Sequence, residues 1–267
     1  MSNCHLSPVP LRQKLHELPL APPNALPDIN NDDDLKLHFQ HLVGSLIYLA
    51  VCTCLDIAYV MMALSQYNAS PTRAHLLAAK GVLCYLAGTM DLSLEFGMEQ
   101  SVISAPVQGF SRCCVVTDAD WATDEKDWRS ISGYCFYFLN SLISWSSTKQ
   151  KTVSLSSMES EYYAMTHAMK EALWIHLFLT IHSLPIPQPF PLLCDNQSAI
   201  ALVESEAISS HSKHIDIHYH FICDHISDGS FQTTWIPTSD MTADIFTKPL
   251  LPPLFLKHCD ALGLISS

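Results

Sequence analysis

The apolar positions of the chain follow three different spacings in turn. Residues 1 to 34 show none: Pro8, Pro10, Pro19, Pro22, Pro23 and Pro27 lead into the acidic stretch "NNDDD". Such a segment cannot bury enough apolar surface to offset its ordering entropy, so a disordered lead-in is expected. From Leu35 the apolar residues recur at helical spacing through "HFQHLVGSLIYLAVCTCLDIAYVMMALSQY" and "ASPTRAHLLAAKGVLCYLAGT". Ser70 reads as an N-cap with Pro71 at the first helical position, and Gly88 as the stop. A small helical unit over residues 35–106 is the result. Its longest apolar run, Leu42 to Leu55, is closed by Asp56. On length that run falls short of a membrane span, which makes it a core helix.

From about Val107 the spacing becomes that of strands. "CCVVTD", "GYCFYFL" and "LISWSST" are short β-branched and aromatic runs with polar breaks, the pattern of an antiparallel meander. A long helix from Ser156 to about His182 follows, then strand "PFPLLCD", a short helix "NQSAIALVES", a helix "HSKHIDIHYHFICDHI", strand "FQTTWIP" and a last helix "SDMTADIFTK". Three strands, a helix, and then alternating strand and helix give a mixed-sheet α/β layout over residues 107–250, with 251–267 as a C-terminal tail.

Composition narrows the setting. The 267 residues are 48% hydrophobic with a mean hydropathy of +0.16, which fits a soluble globular chain without a membrane anchor. The net charge of -12, from 26 acidic against 14 basic residues, gives no general attraction to nucleic acid, so any such binding must be local. Ten scattered cysteines with no secretory start before them point to an intracellular, reducing compartment.

The candidate chemistry lies in the carboxylates. Asp118 and Asp120 in "TDADW" end an apolar strand, and alternation puts both on one face. In the long helix, Glu161 shares a stripe with Met165, Ala168, Ala172, Ile175 and Leu179, whereas Glu159 lies beside Tyr163, Thr166 and Lys170. Glu161 is therefore expected at the end of the buried face and Glu159 in solvent. Asp195 ends strand "PFPLLC", where an N-cap role is the plain account, and Asp244 sits in "MTADIFTK", where a solvated first-turn acid is the plain account. Four acids at element ends suggest convergence, and carboxylates held that close repel unless cations lie between them. Hard oxygen ligands suit Mg²⁺ or Mn²⁺. Two such ions about 4 Å apart are the arrangement that activates water in phosphodiester cleavage.

The stretches "VVTDADWATDEKDWRSISGYCFYFLNSLISWSSTKQKTVSLSSMESEYYAM", "CDNQSAIAL", "KHIDIHYHFI" and "MTADIFTKPL" closely resemble the ribonuclease H region of copia-type retrotransposon Pol polyproteins. "LVGSLIYLAVCTCLDIAYVMMALSQY" with "SPTRAHLLAAKGVLCYLAGT" resembles the segment joining reverse transcriptase to that region. The likeness runs in family order from roughly Leu42 to Leu250. It implies a ribonuclease-H-like mixed five-stranded sheet with helices on both faces, preceded by the helical connection segment. It also implies that Asp118, Glu161, Asp195 and Asp244 hold two Mg²⁺ ions, with Mn²⁺ as a substitute, and hydrolyse the RNA strand of an RNA–DNA hybrid. It chooses Asp118 over Asp120. The remainder of the polyprotein, reverse transcriptase included, is the implied partner.

Two features depart from that pattern. "WIPTSDMTAD" contains no histidine, whereas cellular ribonucleases H carry one on the loop before the last aspartate; Thr238 or Ser239 would carry a proton poorly at neutral pH. No Tyr-x-Asp-Asp motif is present, so DNA synthesis is excluded and the chain reads as a fragment lacking the polymerase palm. The alternative reading is an inactive remnant or a co-opted binding module of the same fold. For contact with a hybrid the candidates are Arg129, Lys149, Lys151 and Lys213 at phosphates and Ser130 and Asn196 at sugar hydroxyls, with Gln197 behind them. Trp121, Trp145, Trp174 and Trp235 are expected in the core. His211, His214, His218 and His225 recur at helical spacing, and the pair at 214 and 218 could grip zinc; without thiol or acidic companions, a polar flank beside Ile215, Tyr219, Ile222 and Ile226 is expected.

Overall fold

Asp32, Asp33 and Asp34 open a helix instead of closing a lead-in. In the computed structural model, which describes residues 32–97, 113–122, 127–184, 188–204 and 213–266, with side chains of 213–216 outside the description, they form the first turn of Asp32–Cys52 (α1). Acids there oppose the positive end of the helix dipole, each worth about 0.3–1 kcal/mol. The expectation of disorder otherwise falls on residues 1–31, outside the described residues.

The described residues divide into two units, one holding residues 32–93, 249–259 and 265–266 and the other the described part of 94–248 with 260–264. In the first, α1 buries Leu35, Phe39, Val43, Leu46 and Ala50, the stripe that a 3.6-residue period lays on one face. That stripe packs on Ala58–Ser65 (α2) and Arg73–Gly88 (α3), which contribute Val60, Met61, Leu64, Leu76, Ala79 and Val82. By length and composition alone the 21-residue α1 could cross a membrane, but its buried stripe is what a core helix shows, as expected for the apolar run that starts at Leu42. The cap of α3 is also corrected. Thr72, not Ser70, is the N-cap: its hydroxyl accepts the His75 N–H at 3.4 Å, while His75 Nδ1 accepts the Thr72 N–H at 3.0 Å. The reciprocal pair satisfies two otherwise orphaned donors, and Pro71 stays outside the helix.

Leu92–Leu94 (β1) pairs with Leu264–Ser266 (β7) in a two-stranded sheet. Residues 251–267, expected as a tail, thus hold that strand and helix Pro252–Ala261 (α7).

In the second unit the meander forms from Cys113–Asp120 (β2), Ile131–Phe138 (β3) and Ser141–Lys149 (β4), the last two joined at Leu139 and Asn140 with φ of 48° and 64°. Phe190–Cys194 (β5) and Phe231–Trp235 (β6) add on the other side of β2. The resulting five-stranded sheet has the order β4-β3-β2-β5-β6, antiparallel from β4 to β2 and parallel from β2 to β6. On one face lies Ser157–Ile181 (α4), with Gln197–Glu204 (α5) and Lys213–Ser227 (α6) beside it. The core there joins Val115, Tyr134, Phe136, Met165, Ala168, Ala172, Leu192, Ile200 and Ile222. Alternation sends Cys114, Val116, Asp118 and Asp120 to the opposite face, with Gly133, Cys135 and Tyr137 from β3. That face is covered by the expected "SDMTADIFTK" helix, which is formed as two 3₁₀ turns, Thr238–Asp240 and Thr242–Phe246. Thr242 is held by Tyr137, whose hydroxyl donates to Thr242 Oγ1 at 3.4 Å.

The tryptophans are not core residues. Trp121, Trp174 and Trp235 are 47%, 59% and 48% exposed, and Trp145 is half-buried. Their indole N–H groups explain two of them: Trp121 donates to the Ser154 carbonyl and Trp235 to the Asp195 carbonyl, so one edge of each ring stays at the surface. Among the described residues no disulfide forms.

Candidate active site

Asp118 lies near the C-terminal end of β2, 4% exposed, where its register partner on β3 is Gly133. A side chain at 133 would have no room: a Cβ there would stand 2.8 Å from Phe246 Cβ, 2.8 Å from Thr247 Cγ2 and 3.1 Å from the Ala243 carbonyl oxygen. The absent Cβ lets the 242–248 segment lie directly on the sheet. Thr247 Oγ1 then donates a short hydrogen bond to Asp118 Oδ2. Lys248 Nζ reaches Asp244 Oδ1 at 2.7 Å and stands 4.0 Å from Asp118 Oδ2. Asp244 is 2% exposed.

Glu161 enters from α4. Ser156 caps that helix by accepting the Glu159 N–H at 3.1 Å, and the Glu159 carboxylate accepts the Leu155 N–H at 2.6 Å. Glu159 is therefore buried, which corrects the expectation of a solvated acid; the capping contact outweighs its polar side of the helix. Two residues on, Glu161 is buried, accepts the Ala119 N–H and faces Cys194 Sγ at 3.8 Å. Asp195, half-buried after β5, accepts from Thr238 Oγ1 at 2.7 Å. Ligand atoms of Glu161, Cys194 and Asp195 all lie within 4.8 Å of one another.

The charges act on each other. Burial pushes the Glu161 carboxyl well above its ordinary range, and Asp118 and then Asp195 push it further. Burial raises Asp118 too; Lys248 and the Thr247 hydroxyl oppose this and Asp195 adds to it. Asp244 is pushed up to about 8 by burial and by Asp118, against the pull of Lys248. Asp118 thus acts on both Glu161 and Asp244, and Asp195 acts on both Asp118 and Glu161. Four carboxylates with one ammonium leave negative charge uncompensated, and an all-oxygen set of this kind fits divalent cations of the Mg²⁺ class.

A pH dependence follows. Folded Asp244 holds its proton up to about 8, whereas the unfolded carboxyl releases it near 3.8, so the folded state binds more protons in between. Stability in EDTA must therefore fall as pH rises from 6.5 to 8. His167 and His218, lowered from 6.5 by burial, act below this window and in the opposite sense, and the buried cysteines, raised above 9.0, act above it. Calorimetry in EDTA is expected to give a lower Tm at pH 8 than at 6.5, with the difference reduced in Asp244→Asn.

The proposed hybrid contacts are placed unevenly. Ser130 is fully buried, where its hydroxyl accepts the Ala122 N–H at 3.2 Å, so it braces a loop and offers no surface to a sugar. Arg129 and Lys149 both pair with Asp127, at 3.5 and 3.0 Å, and Lys151 is exposed. Asn196 Oδ1 accepts the Ala199 N–H, an N-cap of α5, and Gln197 is exposed. The side chains of Lys213 and His214, and all of His211, lie outside the described residues. His218 packs on Tyr163 with ring centroids 4.1 Å apart and His225 pairs with Asp228 at 3.3 Å, the expected polar flank. Asp120 is close enough to Lys248 for their charges to interact. Sequence reading missed Thr247, Lys248, Gly133 and Gln150. Gln150 Nε2 donates to the Ser132 hydroxyl and to the Ser160 carbonyl, tying the lead into α4 to the sheet. Of the four, Lys248 carried a local signal, its i,i+4 spacing from Asp244.

The sheet order is that of a ribonuclease-H-like fold, with the acidic cluster gathered at its central strand. No protein-family model matches the chain. Over 226 residues, 85% of the chain, it is 38% identical to the retrovirus-related Pol polyprotein from transposon RE1 of Arabidopsis thaliana, and over 213 residues, 80% of the chain, 37% identical to that from transposon TNT 1-94 of Nicotiana tabacum. Among solved structures, LC11 ribonuclease H1 in complex with an RNA/DNA hybrid aligns with 51% of this chain and 94% of its own at 10% identity and a TM-score of 0.39. The homologues of this chain are thus retrovirus-related Pol polyproteins of copia-type transposons. It spans about 15% of the length of the two relatives described above.

Proposed function

We propose that this domain hydrolyses the RNA strand of RNA–DNA hybrids with two divalent cations held by Asp118, Glu161, Asp195 and Asp244, as one part of a larger Pol polyprotein working inside the cell. The observation that carries the reading is the gathering of four acids from β2, α4, the end of β5 and a 3₁₀ turn, with Thr247 and Lys248 linking Asp118 to Asp244 and with Glu161 and Asp195 ligand atoms within 4.8 Å of each other. Mg²⁺ or Mn²⁺ bound there would supply an activated water and charge stabilisation at the scissile phosphate. The chain's own residues give the rest. Thr247 fixes the Asp118 carboxylate, Thr238 fixes Asp195, and the Ala119 N–H fixes Glu161, so that these three ligands are held in place before a cation arrives.

The test is cleavage of a hybrid labelled on its RNA strand by the purified chain with Mg²⁺. Wild type is expected to release short RNA products and leave the DNA intact, and Asp195→Asn to fall by about 10²–10³-fold or more. Equal rates for the folded wild type and the variant would reject the reading. Retained hybrid binding in that case would leave a non-catalytic binding module.

A further inference from the structure

The acidic cluster already contains one cation. Lys248 Nζ lies 2.7 Å from Asp244 Oδ1 and 4.0 Å from Asp118 Oδ2, and its side chain is 31% exposed against 5% and 3% for the two carboxylates. Among the described residues no cation stands at the other side of the cluster. There Glu161 and Asp195 meet a thiol, a backbone N–H and a threonine hydroxyl, all neutral. We propose that Lys248 is a resident counter-ion that competes with a divalent cation for the Asp118–Asp244 pair, making the two halves of the centre unequal in metal affinity. This inference rests on the metal-dependent reading of the site given above.

The geometry supplies the means. Lys248 follows Asp244 by one helical turn, and its backbone N–H bonds to the Asp244 carbonyl at 3.2 Å, so the stem is anchored beside the carboxylates. The ammonium is at the solvent end of a long stem, with three rotatable donors and no second fixed partner needed to leave. It can therefore neutralise the pair when no metal is bound and withdraw outward when one arrives. Without it, two buried carboxylates would face each other uncompensated. With it, an incoming ion must displace an ammonium before gaining both ligands. The Glu161–Asp195 half, with no such occupant among the described residues, fills first.

The experiment is calorimetric titration of the full chain with Mn²⁺ and no nucleic acid, comparing wild type with Lys248→Met, Lys248→Gln and Lys248→Arg, alongside melting in EDTA. Lys248→Met is expected to bind Mn²⁺ about 10-fold or more tightly in the weaker of two steps and to melt lower in EDTA. Lys248→Arg, which restores the charge, is expected to return both to the wild-type values. Lys248→Gln, keeping a donor but no charge, should follow Lys248→Met in affinity and serves if the methionine variant does not fold. A purely structural lysine would lower metal affinity when removed, so unchanged or weaker Mn²⁺ binding in the uncharged variants overturns the proposal. Absence of Mn²⁺ binding to wild type would instead reject the metal-dependent reading itself.

Discussion

Asp118→Asn is expected to abolish hybrid cleavage and, in EDTA at pH 8, to raise the melting temperature. The two effects share one cause. Asp118 is almost wholly buried, and its charge pushes up both Glu161 and Asp244 while Asp195 pushes on it in return. Asparagine keeps the shape and an oxygen to accept the Thr247 hydroxyl, but it removes the charge that raises Glu161 and Asp244. Each kcal/mol gained by relieving that repulsion is a rise of about 2–4 °C in a chain of this size. The gain should vanish at low pH, where the carboxyls are protonated in any case. Cleavage should drop by about 10²–10³-fold or more, since the substitution removes a preorganised ligand. Adding Mg²⁺ reverses the order of stability, because wild type gains from an ion that the variant holds poorly. Melting curves with EDTA and with Mg²⁺ read all of this directly. A variant that melts below wild type in EDTA would show that the site is not electrostatically strained.

Much of this arrangement can be read along the chain, for a definite reason. Strand and helix periods are local, so the alternation in "CCVVTDAD" already separates Asp118 from Val115, and the stripe from Glu161 through Met165, Ala168, Ala172, Ile175 and Leu179 is buried as the 3.6-residue period requires. Capping competes with that period over the first turn of a helix, which is why Glu159 is buried against expectation. Residues that work by meeting a distant segment carry no local signal. Gly133 is an ordinary strand glycine until Phe246 and Thr247 lie on it, and Ser130 resembles a surface serine until Ala122 turns its N–H inward. The tryptophans mislead for a related reason: an indole N–H seeking a carbonyl partner keeps part of its ring at the rim, whatever its hydrophobicity.

The second large effect belongs to that glycine. Gly133→Ala is expected to destabilise the chain by about 1–3 kcal/mol, since the added methyl must overlap atoms that cannot swing away. Two of the three atoms it meets are a Cβ and a backbone carbonyl oxygen, fixed by the 3₁₀ turn, and the third is the methyl of the threonine that bonds Asp118. The backbone at 133 is extended, so conformational strain is not the cause. Relief can come only by lifting the 242–248 segment from the sheet, which draws Thr247 away from Asp118 and Asp244 with it. The variant should therefore lose about 2–12 °C in Tm and bind Mn²⁺ more weakly, although no ligand has been altered. Gly44→Ala is the matched control: it lies inside α1 with nothing within 4 Å of an added Cβ. There the same methyl should raise stability by about 0.5–1 kcal/mol through helix propensity. If Gly133→Ala melts like wild type and binds Mn²⁺ as tightly, the close approach of the segment does not hold Asp244 at the centre.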